Sequence, residues 1–485
     1  MGFVATVLLV RALSEHDYGV YNLLYSVIAL IGVIASFGIG NTLQRFIPEY
    51  YEKGEFRIAN NLYRTSSLIR LISNVAILSV ILLLWEYVSP HLKIAEYRKY
   101  FIIFAVVILL HMQRGILETC LSSYFLHKYS KSIGFLFTLI KAIGYGCVIV
   151  FEKSLQAAIM IDITAYVVVF ALLQMIYAKK IPHSTGNLEQ FSQQEKKRVA
   201  KYALFYNFND AGVGLLDANF DNFIIVMYLN PVAVGAYSFC VRLSRQINRL
   251  LPLSYFLDVI RPAFFTYGTA SAENNTTFFF QSLIKVNAII TIPCFFFLLL
   301  YSEDIITVVF GCKFIEYSFV LAGVFFFTAL NSFQPAVGLI AQLREKADII
   351  LYSKFFAAYN LIADIILIKI LGIWGAVIAT GSAIMCKNFF VWYFVRADAS
   401  FKGMEKFFAK ILTFWTAISL VVMGLDSLIA LSPFFTLILG IVLFSLFFLT
   451  QFKLNYFSVV EEQTIEKILS GKPVASFFKK LLLNQ

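Results

Sequence analysis

Two short stretches, 13-LSEHDYGVY-21 and 229-LNPVAVGAY-237, share the pattern L-x5-G-x-Y at an offset of 216 residues. Further on, 48-PEYYEKG-54 and 262-PAFFTYG-268 share P-x5-G at an offset of 214, and 67-SLIR-70 recurs as 282-SLIK-285 at 215. Each match alone is weak, but three in order at nearly one offset mark an internal duplication. The fold is therefore expected to hold two copies of one unit, followed by a C-terminal remainder.

Composition says what the copies are made of. Of 485 residues, 60% are hydrophobic, 17% aromatic and only 14% charged, with a mean hydropathy of +0.77. Polar side chains are too few to cover such a chain in water, so the fold class is all-α, a polytopic transmembrane bundle. The longest polar stretches, 179–200 and the tail from 451, are too short for a separate aqueous domain.

A membrane-crossing helix needs about 20 apolar residues. Stretches near 18–39, 66–88, 100–126, 132–151, 155–178, 202–229, 232–256, 278–301, 317–341, 349–369, 371–395, 407–425 and 431–450 meet that rule. Ahead of them, 1-MGFVATVLLVRAL-13 is apolar but half a span long and reads as the end of a longer first helix, making fourteen in all. No basic segment precedes a small-residue cleavage site, so no cleavable signal peptide is expected and the first helix is the targeting signal. With a cytoplasmic N-terminus, 25 Lys and Arg fall in inner loops against seven in outer ones. A bias of that size supports parity and orientation together, with both termini cytoplasmic. The net charge of +11 is mostly this bias and implies no nucleic-acid partner.

The offsets make helices 7 to 12 a copy of helices 1 to 6. Six is even, so both copies enter from one side and are related by an axis along the membrane normal. The expected organisation is an N-lobe over 1–178, a cytoplasmic linker over 179–200, a C-lobe over 201–396, helices 13 and 14 over 397–450, and a cytoplasmic tail over 451–485. Transporters of this design hold substrate in a cavity at the repeat interface.

Charges inside the spans carry the chemistry, because an ionised group at bilayer depth costs about 2.5–3.5 kcal/mol on insertion scales. Eight cations lie in or at the edges of spans, among them Arg70, Arg114, Lys141, Arg242, Arg245 and Arg249. At 100° per residue, Arg242, Arg245 and Arg249 share about 60° of one helix face. In 207-NFNDAGVGLLDANFDN-222, Asp210, Asp217 and Asp221 form a carboxylate stripe about 40° wide, and Gly212 and Gly214 thin the helix for close approach or bending. Two readings stay open: the aspartates pair with the arginines of the next helix, or some of these groups face the cavity and touch substrate or a coupling H⁺ or Na⁺. His111, Arg114 and Glu118 form a similar stripe on helix 4. Lys141 either pairs with Glu118 or adds charge to the cavity, while Asp162 and Asp364 read as polar glue between helices.

Six scattered cysteines form no disulfide framework or metal set, so no cofactor or metal is expected. There is no P-loop, since 470-SGKPVAS-476 lacks the preceding glycines, and no GxSxG, HExxH or DxD cluster; an enzyme is not indicated. A membrane polymerase or ligase would need a large outer loop, and the longest outer segment, 88–99, is short.

The opening 9-LVRALSEHDYGVYNLL-24 and the following 38-GIGNTLQRFIPEYYEKGE-55 resemble the polysaccharide-export branch of the multidrug/oligosaccharidyl-lipid/polysaccharide exporter superfamily, and within it the bacterial O-antigen flippases called Wzx. The resemblance extends through span count, duplication and the additional helices 13 and 14; drug-extruding members typically stop at twelve. It implies a monomeric, V-shaped transporter of the bacterial inner membrane that moves a polyprenyl-diphosphate-linked oligosaccharide between leaflets, with other polysaccharide-assembly proteins as further partners. It carries over Arg11, Gly19, Tyr21, Gly40, Asn41 and Arg45 as fold and gate positions. A lipid II flippase shares the fold and a cationic cavity; a drug/cation antiporter would better show an acidic cavity without clustered arginine.

Overall fold

The computed structural model describes residues 1–151, 153–181, 192–214, 218–251, 274–344, 346–397, 399–428, 431–454 and 456, and among them every regular element is helical. Nine of the described helices are long and apolar enough to cross a membrane. The chain divides into two compact units, Met1–Ser238 with Leu361–Ala376, and Phe239–Asn360 with Val377–Gln485.

In the first unit, α1 (Gly2–Ala12) leads into α2 (Glu15–Ala35), whose start is capped by the Ser14 hydroxyl accepting from the Asp17 N–H at 3.0 Å. The chain breaks at Phe37 and Gly38, both with positive φ (48° and 60°), before α3 (Ile39–Glu52). A Cβ on Gly38 would lie 2.2 Å from the Ala203 carbonyl oxygen, so both the backbone angle and the approach of the neighbouring helix demand glycine. Span 18–39 therefore ends earlier than hydropathy indicates. Beyond it α3 is amphipathic, burying Leu43, Phe46, Ile47 and Tyr50 and leaving Arg45 exposed.

Four long helices follow: α4 (Phe56–Leu83), with the single turn α5 (Trp85–Val88) after it, then α6 (Arg98–Ser123), α7 (His127–Phe151) and α8 (Leu155–Lys180). The helix α7 packs on α1 and α8, and α6 on α8 and α3. Residues 182–191 of the expected linker lie outside the described residues, but α9 (Gln193–Gly214) begins well before position 202. The reason is a reciprocal cap: the Glu195 N–H donates to Ser192 Oγ (3.2 Å) and the Ser192 N–H to Glu195 Oε2 (3.0 Å), starting a helix on a polar segment. The helix is described to Gly214, residues 215–217 lie outside the described residues, and α10 (Ala218–Tyr228) and α11 (Pro231–Leu250) follow.

The duplicated motif starts a capped helix in both copies. Asn230 Oδ1 accepts from the Ala233 N–H at 2.9 Å, with Pro231 as the first helical residue. The two starts touch reciprocally: a Cβ on Gly19 would lie 1.8 Å from Pro231 O, and one on Gly235 would lie 3.0 Å from Glu15 O. Glu15 and Pro231 are themselves separated by 216 residues, the offset of the duplicated motif, so corresponding positions of the two motifs meet here.

In the second unit, α12 (Asn274–Ile305) passes into a π-helical turn, Ile306–Phe310, that ends at Gly311 with φ 77°. The spans expected at 317–341 and 349–369 are each interrupted. The first is α13 (Ser318–Leu330) and α14 (Gln334–Leu343) around a 3₁₀ turn, because Pro335 lacks the N–H to continue the ladder and Asn331 bonds back to Phe327 O. The second is α15 (Ala347–Tyr352) and α16 (Phe356–Leu371), which from Leu361 on belongs to the first unit. The helix α17 (Ile373–Val395) precedes the final pair, α18 (Glu405–Leu428) and α19 (Pro433–Thr450), which pack on α12. There Trp415 stacks on Phe444 (5.3 Å) and donates its indole N–H to Gln451 (3.1 Å). Most of the tail lies outside the described residues.

Candidate functional site

Asp162, on α8, is fully buried in the first unit. A carboxylate offers about four lone-pair directions, and four donors meet it. Lys141 Nζ (2.8 Å) and Tyr145 OH (2.5 Å) approach Oδ1; Tyr21 OH and Tyr25 OH (2.7 Å each) approach Oδ2. The tyrosines join one another, with Tyr21 and Tyr145 hydroxyls 2.9 Å apart, and Lys141 also reaches Tyr25 OH at 3.3 Å. Motif residue Tyr21 thus ties α2 to α7 and α8. The partner of Lys141 is Asp162, not Glu118, so this ammonium is neutralised by a neighbouring helix.

Glu118 instead pairs with Arg114 one turn away (2.9 Å), and Arg114 lies over the Phe137 ring at 4.0 Å. His111 hydrogen-bonds Tyr166 OH at 2.8 Å. These groups fill the space between α6, α7 and α8 beside the Lys141 cluster.

A second cluster gathers where α2 breaks. The Ala35 carbonyl, orphaned at the helix end, accepts from Arg70 NH1, and Ser36 Oγ donates to Asn207 at 2.7 Å. Asp210 accepts from motif residue Asn41 at 3.1 and 3.3 Å and interacts electrostatically with Arg70. Gly40 has open space where a Cβ would sit, while Arg11 ends α1 exposed.

Beyond, at the polar end of α3, one carboxylate holds three cations. Arg198 of α9 bonds Glu49 through both terminal nitrogens at 3.0 Å, and Arg45 (2.9 Å) and Lys53 (3.0 Å) join from one turn either side. The Arg198 hydrogen bonds first, then those of Lys53, hold the Glu49 carboxyl down to about 2. Arg45, expected as a gate residue, is part of this clamp between α3 and α9.

The third cluster surrounds Asp221 on α10, buried completely. Its Oδ2 accepts from Tyr237 OH at 2.6 Å, and Tyr237 is the counterpart of Tyr21 in the duplicated motif. Asp364 of α16, equally buried, hydrogen-bonds the Asp221 carboxyl. A hydrogen bond between two carboxyls needs a proton on one of them. Asn222 donates to Ser26 (2.8 Å) and accepts from Ser238 (3.1 Å), joining α10 to α2 and α11.

Of the expected aspartate stripe, Asp210 lies on α9 and Asp221 on α10, while Asp217 falls in 215–217, outside the described residues. Arg242, Arg245 and Arg249 share one face of α11 in the second unit, Arg242 half-buried and the other two exposed. Asp364 and the tyrosine donors are the polar groups that spacing along a single helix did not reveal. Among the described residues no three His, Cys, Asp or Glu side chains gather as a metal site.

Known proteins place this arrangement. Residues 1–267 match the family described as polysaccharide biosynthesis protein. Over 484 residues the chain is 21% identical to the probable low-salt glycan biosynthesis flippase Agl15 of Haloferax volcanii, covering 97% of this chain and 96% of that one. Its fold is similar to an inward closed structure of the lipid II flippase MurJ (TM-score 0.68, 15% identity, 96% of this chain and 98% of that one). It is also similar to an inward-facing multidrug resistance transporter of the MATE family (TM-score 0.65, 15% identity, 83% and 96%). The chain belongs to the polysaccharide biosynthesis protein family.

Proposed function

We propose that this protein is a flippase for a polyprenyl-diphosphate-linked oligosaccharide, the O-antigen or another surface polysaccharide repeat unit, working by alternating access in the bacterial inner membrane. The lipid tail can stay in hydrocarbon, but the diphosphate and sugars need a polar path. The observation that carries the reading is the arginine face of α11: three guanidiniums on one stripe of a helix in an otherwise apolar chain suit a diphosphate, which takes charge-assisted, bidentate bonds. Arg242, Arg245 and Arg249 are the proposed head-group contacts. Arg114 and Lys141 would join them only by releasing Glu118 and Asp162.

Asp221, with Asp364, is the favoured place for coupling to H⁺ or Na⁺, because a buried carboxyl pair gains or loses a cation more readily than it bears two charges. Asp210, Asp217 and Glu118 remain further candidates. The proposed organisation is two six-helix lobes over 1–178 and 201–396, the pair of helices over 397–450, and cytoplasmic termini in a monomer. A lipid II flippase is the second reading, favoured by the similarity to MurJ. Arg245→Ala tests the first: surface polysaccharide is lost while the protein still inserts in normal amount. Normal export in that variant removes Arg245 from the head-group site.

A further inference from the structure

A groove of about 610 Å³ runs between α3, α4 and α9 in the first unit, at the scale of a ligand site. Along α9 it extends from Lys196 to Asn207, about 16 Å at 1.5 Å per residue. Along α4 it runs from Asn61 to Ile69, about 12 Å. One leaflet of hydrocarbon is about 15 Å deep, so the groove is as long as a leaflet.

Its ends differ. Ile39, Phe37 and Ile69 line the end where α2 breaks, and Leu62, Val199 and Ala200 line the wall toward Lys196. Lys196 stands at the mouth and is the single charged residue in the lining, which holds no carboxylate. Among the described residues no ion pair joins Lys196, whereas Arg198 two positions on is taken by Glu49. Exposed Lys197 lies beside it in sequence, and exposed Arg64 follows Asn61 by one turn.

We propose that this groove binds an anionic phospholipid of the adjoining leaflet, one acyl chain along α9 and the phosphate on Lys196. The charge sign selects the lipid class: a lining whose single charged residue is a lysine attracts a net-negative head group and gains little from a zwitterionic one. The site is separate from the α11 arginines and does not depend on what those residues carry.

Native mass spectrometry of the full-length protein in mild detergent, loaded with equal phosphatidylglycerol and phosphatidylcholine, tests this. One phosphatidylglycerol is expected to be retained in preference, about tenfold weaker in Lys196→Gln. Ala200→Phe, which fills the groove from an exposed position, is expected to abolish retention of both lipids. Photo-crosslinking of a diazirine-acyl phosphatidylglycerol to wild type is expected to label residues 193–207, a readout that needs no variant to fold. Equal retention of the two lipids, indifference to Lys196→Gln, or labelling elsewhere would overturn the proposal. Displacement by equimolar polyprenyl phosphate would overturn it too, by assigning the groove to a polyprenyl chain instead.

Discussion

Replacing Gly19 by alanine puts a methyl group where the start of α11 already stands. The added Cβ would sit 1.8 Å from Pro231 O and 2.5 Å from Pro231 C, both backbone atoms that no rotamer change can move. Ordinary carbon contacts begin near 3.5 Å, so α2 and α11 must separate by roughly 1.5 Å at the crossing. Overpacking usually costs about 1–3 kcal/mol, and a clash with rigid backbone belongs at or above the top of that range. The same change at Gly235 meets its nearest atom, Glu15 O, at 3.0 Å, and a shift of a few tenths of an ångström relieves it. Thermal unfolding of the purified protein in detergent should therefore rank wild type, then Gly235→Ala slightly lower, then Gly19→Ala much lower. Because both methyls push the same two helices apart, the double variant should lose less than the sum of the singles. Equal melting of the two single variants would refute a close crossing at the duplicated glycines.

Two other perturbations read the polar clusters. Asp162→Asn strands the Lys141 ammonium among tyrosines, and breaking one side of a buried ion pair costs about 3–5 kcal/mol. Lys141→Met together with Asp162→Asn should recover more than half of the lost thermal stability, and a double variant no better than the single contradicts the pairing. At the α3–α9 clamp, a depressed carboxyl stabilises fully above the ordinary Glu value of 4.5 and loses its contribution as pH falls toward about 2. Spin labels at Glu52 and Lys197 should accordingly report one distance from pH 8 to pH 5 with Glu49 intact and a broadened distribution in Glu49→Gln at every pH; a change near neutrality with Glu49 intact would contradict it.

Most of the architecture was legible because hydrocarbon imposes a simple length rule, and the observed helices follow the expected spans wherever the chain stays apolar and lacks proline. The departures have local causes. The helix α9 starts early because 192-SQQE-195 is a capping box, a signal present in the sequence but hidden by the polarity of its surroundings. The break at Phe37 and Gly38 depends on positive φ and on the approach of α9, which hydropathy does not encode. The site was less legible for a related reason. Spacing tells which residues share a face, but not which helix that face meets. Asp162 therefore read as glue without its lysine, and the spacing that set Asp221 in a stripe gave no sign of Asp364, 143 positions away.

Transport itself is tested most directly by reconstituting the protein into vesicles with a labelled polyprenyl-diphosphate oligosaccharide and following its accessibility to an impermeant sugar-modifying reagent. Wild type should expose the label across the bilayer within minutes, and a variant with Arg242, Arg245 and Arg249 all changed to alanine should match empty vesicles. Movement of the lipid-linked sugar at the same rate by wild type and triple variant, or by neither above the protein-free rate, would contradict a flippase built on the arginine face of α11.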